Sequence, residues 1–181
     1  MSTNKSKGSI LKNTQTMVMI SLFIALSIVL GKQLSFTIGA IRISFENLPI
    51  LMAGIFFGSV AGAIVGSCAD IIGCIITGYS INPIITIGAI SIGFLSGIAF
   101  KSLDTNNIKW KLILSIGISH IIGSMIIKSI GLYIYYHYAI SVLLLRVPLY
   151  IVIGSLEISI IYALMKSTTF KNQLNRITSK L

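Results

Sequence analysis

The sequence predicts an all-α integral membrane protein: a bundle of six transmembrane helices with both termini cytoplasmic, residues 1–181 forming a single membrane domain. Three observations predict it. Hydrophobic residues make up 55% of the chain and charged ones 10%, with a mean hydropathy of +0.95; soluble domains carry about 25% charged residues. The apolar residues are gathered into runs that approach or exceed the roughly 20 residues a spanning helix needs. The basic residues stand at the ends of these runs, not along them.

The first span is read over residues 16–30 and ends at Gly31-Lys32. Its basic, then apolar, start has the look of a signal peptide, but the run is long and no small-x-small site follows it directly. A linker occupies 33–43. From Leu48 to Gly78 the chain is apolar with one charge, too long for one helix and short for two full spans. The reading is a short second helix, 47–57, a break within 58–62, and a third helix over 60–77. The turn Gly78-Tyr79-Ser80 precedes Asn82-Pro83, and proline suits a first helical turn, so the fourth span is read over 83–100. A polar loop, 101–111, leads to a fifth span over 112–136 and a sixth over 145–165. The chain begins with a cytoplasmic segment, 1–14, and closes with a polar, basic tail, 167–181.

Six spans put both termini on one side, and charge decides which. Lys5, Lys7, Lys12, Lys101, Lys109, Lys111, Lys166, Lys171, Arg176 and Lys180 all fall on that side, which the positive-inside rule makes cytoplasmic. The formal net charge of +10 is therefore a topology signal and a contact for anionic lipid, not a nucleic-acid surface. The two cysteines, Cys68 and Cys74, lie six residues apart in one apolar run and read as small buried hydrophobes, not a disulfide or metal pair.

The embedded polar groups carry the functional argument, because a charge in hydrocarbon costs a few kcal/mol or more. Asp70 lies roughly midway through the third span. Arg42 and Glu46 stand at the outer end of the second, Asn82 at the outer end of the fourth, Lys128 near the outer end of the fifth, Arg146 at the outer start of the sixth, and Glu157 below it. His120, Ser124 and Lys128 recur every four residues, as do Gly62, Gly66 and Asp70. The glycines permit close helix approach. The pattern describes a polar cavity open outward over small-residue packing, suited to a polar or anionic small molecule. Blander readings compete: Lys32 and Arg42 as interfacial residues, Lys128 snorkelling to headgroups, His120 as a satisfied interior histidine, and Glu157 paired with Lys128 or His120. Tyr133, Tyr135, Tyr136, His137 and Tyr138 read first as an aromatic belt and second as a wall for a ligand ring. No nucleotide-binding G-x-x-x-x-G-K-[ST], H-E-x-x-H or C-x-x-C occurs, and nothing supports catalysis.

The segment IRISFENLPILMAGIFFGSVAGAIVGSCADIIG, followed by INPIITIGA, and the later LLLRVPLYI resemble the S components, the substrate-binding membrane subunits, of energy-coupling-factor (ECF) vitamin transporters, and the folate-type branch in particular. The chain departs from the family at Gly58-Ser59, where Gly-Pro is frequent. The resemblance implies a bacterial multi-pass membrane subunit that binds folate or a reduced folate outside. It also implies a transmembrane coupling subunit and two cytoplasmic ATPases, which hydrolyse the ATP, so that this chain needs no cofactor. The same scaffold serves other vitamins (cobalamin, riboflavin, pantothenate) or a queuosine precursor, and a non-transport membrane protein is the remaining alternative. The implied site draws on Arg42, Glu46, Asp70, Tyr79, Asn82, His120, Lys128 and Arg146. A carboxylate, Asp70 or Glu46, would take the amino-pyrimidine edge of pterin, and Lys128, Arg146 or Arg42 the glutamate end, while Asn82 and Tyr79 would supply neutral hydrogen bonds. The family's partner-packing stripe on the first span is matched by Ser21 and Ala25.

Overall fold

In a computed structural model, which describes residues 14–38, 41–105 and 107–178, helices begin and end at the chain's polar and glycine punctuation. The expected basic N-terminal segment falls almost wholly outside the described residues, as do Lys180 and the side chain of Arg42. The helices are α1 (Thr14–Gln33), α2 (Asn47–Phe57), α3 (Ser59–Thr77), α4 (Pro83–Ser102), α5 (Ile108–Tyr136), α6 (Ile140–Lys166) and α7 (Thr168–Thr178). Five of them, α1 and α3 to α6, are long and apolar enough to cross a membrane.

The shorter α2 is apolar all round and buried along its whole length, with α1, α3 and α4 packed about it. Gly58, at φ 93°, breaks the chain after α2, and α3 resumes at the next residue. That left-handed backbone is open to glycine at little cost. Gly78, at φ 70°, ends α3 in the same way. Asn82 caps α4, its Oδ1 accepting from the Ile84 amide at 3.0 Å, with Pro83 in the first turn.

The glycines of α3 form a stripe against α4. A Cβ on Gly62 would stand 2.7 Å from the Gly93 carbonyl carbon, and one on Gly66 would stand 2.7 Å from that of Ala89. One helical turn further on, Asp70 meets Thr86. The stripe that brings the two backbones together thus runs straight into the polar end of the bundle.

Three elements depart from the sequence expectation. The linker 33–43 holds an antiparallel strand pair, β1 (Phe36–Ile38) and β2 (Ile41–Ile43), in register Phe36↔Ile43, Thr37↔Arg42 and Ile38↔Ile41. Two β-branched and aromatic runs flanking Gly39-Ala40 are the signal for it. The sixth span begins at Ile140, not 145, so Arg146 lies almost two turns inside α6 and Pro148 is an interior proline. Neighbouring helices in a membrane bundle tolerate such a proline. The tail is also helical: α7 packs Phe170, Leu174 and Ile177 against the core, with the Phe170 ring 5.2 Å from that of Phe56.

Two helices contain wide π turns, Val29–Gln33 at the end of α1 and His120–Ile127 within α5. Such turns occur frequently at functional sites, and both lead to a lysine of the site described next, Lys32 and Lys128.

Candidate functional site

A cavity of about 400 Å³ lies where α1 and α3 end, α4 begins, and α5 hands over to α6, beside the strand pair. Pockets of roughly 300–1,000 Å³ hold drug-sized ligands. Lys101, Lys109, Lys111 and Lys166 stand at the opposite ends of α4, α5 and α6.

Of the residues singled out from the sequence, Glu46, Asp70, Tyr79, Asn82, Lys128 and Arg146 line this cavity. Arg42 lies in β2 opposite Thr37, itself a lining residue, and its side chain is outside the described residues. His120 does not line the cavity. It is buried below it against Glu157, with Nε2 at 2.5 Å from Oε2. Lys32, Cys74, Tyr136, Tyr138 and Tyr150 line it as well. Of these, Lys32 had been read as interfacial and Cys74 as a packed hydrophobe. The tyrosine cluster divides, because Tyr136 and Tyr138 face the cavity while Tyr133 and Tyr135 do not.

The charges are arranged unequally. Lys128 Nζ donates to Glu46 Oε1 at 2.8 Å and to Asn47 Oδ1 at 3.2 Å, and 5% of the residue is exposed. A buried lysine needs such acceptors, since its three donors have no water to satisfy them. Arg146 donates to Ser129 Oγ at 2.9 Å and to the Tyr150 hydroxyl at 3.1 Å, with its guanidinium 5.3 Å from the Tyr150 ring centre. Lys32 Nζ stands 5.7 Å from the centre of the Tyr79 ring. Among the described residues Glu46 pairs with Lys128, and Glu157 is taken up by the His120 ring. Two cavity cations, Lys32 and Arg146, therefore have aromatic and hydroxyl neighbours but no ion-paired carboxylate.

Asp70 is the counterpart. Its Oδ2 accepts from Thr86 Oγ1 at 2.7 Å, and the carboxylate lines the cavity. The same Thr86 hydroxyl lies 3.1 Å from the Asn82 carbonyl, its one proton shared between the two acceptors, so that Asp70 is tied to the start of α4. Asn82 spends both ends of its amide on the scaffold, capping α4 and donating to the Gly131 carbonyl at 3.4 Å. The cavity thus offers two cations on aromatic faces, one oriented carboxylate, and tyrosine walls. Chemically that set recognises an anionic molecule that also carries a planar ring with hydrogen-bond donors.

A family profile described as "ECF transporter, substrate-specific component" matches residues 15–172. The folate transporter FolT of Clostridium novyi (strain NT) is 28% identical over 134 residues, covering 74% of this chain and 77% of that protein. Among solved structures, FolT bound with folic acid superposes with a TM-score of 0.69 at 19% identity, covering 83% of this chain and 92% of the other. The S component of a bacterial ECF transporter gives a TM-score of 0.61 at 22% identity, over 82% and 91%.

Proposed function

The chain belongs to the substrate-specific components of ECF transporters, integral membrane proteins of transport and not enzymes, and from that premise we propose that it captures folate or a reduced folate outside the cell for ATP-driven uptake. The likeness to a folate transporter supports this choice of vitamin. The observation that carries it is that one cavity brings together Lys32 and Arg146, cations with no ion-paired carboxylate among the described residues, Asp70, and several tyrosines. Folate presents the complement: two carboxylates on its glutamate, and a pterin ring with an amino-pyrimidine edge. Arg146 and Lys32 take the glutamate, Asp70 takes the ring edge, and Tyr136, Tyr138 and Tyr150 face the ring system. Lys128, already neutralised by Glu46, shapes the wall.

The proposal includes six membrane-crossing segments, with α2 as the short one, in a single membrane domain with both termini cytoplasmic. The basic residues at the helix ends opposite the cavity support that orientation. Ser21 and Ala25 lie on an exposed face of α1, where small side chains suit close packing by a transmembrane coupling subunit. Two cytoplasmic ATPases would complete the assembly.

Titration of the purified protein with folate, riboflavin, pantothenate, cobalamin and a queuosine precursor tests the reading. Submicromolar, saturable binding of folate alone is expected. Tight binding of another of these, with none of folate, overturns the vitamin assignment.

A further inference from the structure

Below the cavity, five buried side chains from three helices form a continuous line of hydrogen bonds. Lys128 Nζ donates to Asn47 Oδ1 at 3.2 Å; Asn47 Nδ2 donates to Ser124 Oγ at 3.4 Å; Ser124 Oγ lies 3.1 Å from His120 Nδ1; and His120 Nε2 lies 2.5 Å from Glu157 Oε2. Each of the five residues is at most 5% exposed. Asn47, Ser124, His120 and Glu157 do not line the cavity.

The first two bonds have a fixed direction. An ammonium only donates, so it fixes Asn47 Oδ1 as its acceptor and turns the Asn47 NH2 toward Ser124. Ser124 Oγ receives that proton and stands against His120 Nδ1, and the other ring nitrogen, Nε2, stands against Glu157 Oε2, the sense of these two bonds following the ring's tautomer. Each member from Lys128 to Glu157 thus has the next as a partner. The π turn His120–Ile127 carries the middle of the line, and α2 and α6 carry the Asn47 and Glu157 links.

Such a line is costly to keep, because a buried polar group that loses its partner is heavily penalised. The cost is visible at its far end, where Glu157 Oε1 is buried with no hydrogen-bond partner among the described residues. An apolar core would pack these helices without that risk. What the line adds is a fixed place for a lysine whose flexible stem would otherwise sample many rotamers.

We propose that Asn47, Ser124, His120 and Glu157 are positioning residues, a polar strut that holds the Lys128 ammonium, and with it Glu46, in the cavity wall and so sets the fit of the ligand. The strut's effect on ligand rests on the folate reading; its mechanical part does not. Both can be read from one cycle of four proteins: wild type, Ser124→Ala, the Glu46→Gln/Lys128→Met pair that removes both charges together, and their combination. In folate titrations Ser124→Ala, remote from the cavity, is expected to weaken binding severalfold, and to have no further effect once Glu46 and Lys128 are replaced. An unchanged affinity for Ser124→Ala, or an equal loss in both backgrounds, overturns the strut. If wild type binds no folate, the vitamin reading fails separately, and the unfolding midpoints of the same ligand-free proteins decide the strut. Non-additive midpoints support it and additive ones contradict it. Asn47→Ala replaces Ser124→Ala in the cycle should the latter not fold.

Discussion

Asp70 is held by one hydroxyl, that of Thr86, and keeps a face on the cavity. Asp70→Asn preserves the shape and removes the charge, so folate should bind about tenfold to a hundredfold more weakly, the worth of a hydrogen bond to a charged group. Calorimetric titration reads the loss, and an unchanged affinity would remove Asp70 from the ligand. Lys128 makes a different prediction. Lys128→Met takes the ammonium away from Glu46, whose carboxylate still faces the cavity, and should lower the unfolding midpoint more than Glu46→Gln/Lys128→Met does. The difference should fall short of the roughly 3–5 kcal/mol of a broken, fully buried pair, because the Glu46 side chain is 26% exposed. At this scale the sequence was informative where a charge had no other reason to be in an apolar run, as with Asp70. It was misleading where a bland role was available. Lys32 follows an apolar run and reads as an interfacial lysine. In the structure it lies in the π turn that ends α1 and lines the cavity beside Tyr79.

Helix α3 shows what spacing can reveal. Gly62, Gly66 and Asp70 recur every four residues, and that period alone pointed to a close-packed face ending in a carboxylate; α4 is the partner it could not name. Gly66→Val would drive a branched side chain into the Ala89 backbone and should destabilise the protein by about 1–3 kcal/mol, as overpacking does. Thermal unfolding in detergent measures this, and an unshifted midpoint would mean that α3 and α4 can separate at little cost. The strand pair and α7 were harder to see. Three-residue strands are too short to show a period against the flanking apolar runs. The tail's polar composition hid the apolar side of α7, where Phe170, Leu174 and Ile177 are spaced to meet one core surface. The early start of α6 is not visible in the sequence because Arg146, a charge next to an apolar run, marks the outer start of the span there, whereas packing in the bundle carries the helix past it and through Pro148.

For the whole molecule, the sequence carried the membrane class and the alternation of basic ends, because a bilayer imposes both on composition. The cavity itself depends on many separate segments meeting, which no local pattern encodes; only individual polar and aromatic residues that line it could be noticed in advance. Capture and coupling should also separate. Ala25→Phe, on the exposed face of α1, is expected to leave folate affinity unchanged while abolishing uptake in cells that supply the coupling subunit and ATPases. Normal uptake by that variant would take the coupling contact elsewhere. Capture is the more basic claim, and Arg146 tests it most directly, since it holds hydroxyls and an aromatic face but, among the described residues, no carboxylate. Calorimetric titration of folate into wild type and Arg146→Ala should show saturable submicromolar binding to the first and an affinity roughly tenfold to a hundredfold lower in the second. Equal affinities in the two folded proteins, or no binding to wild type, would contradict the account.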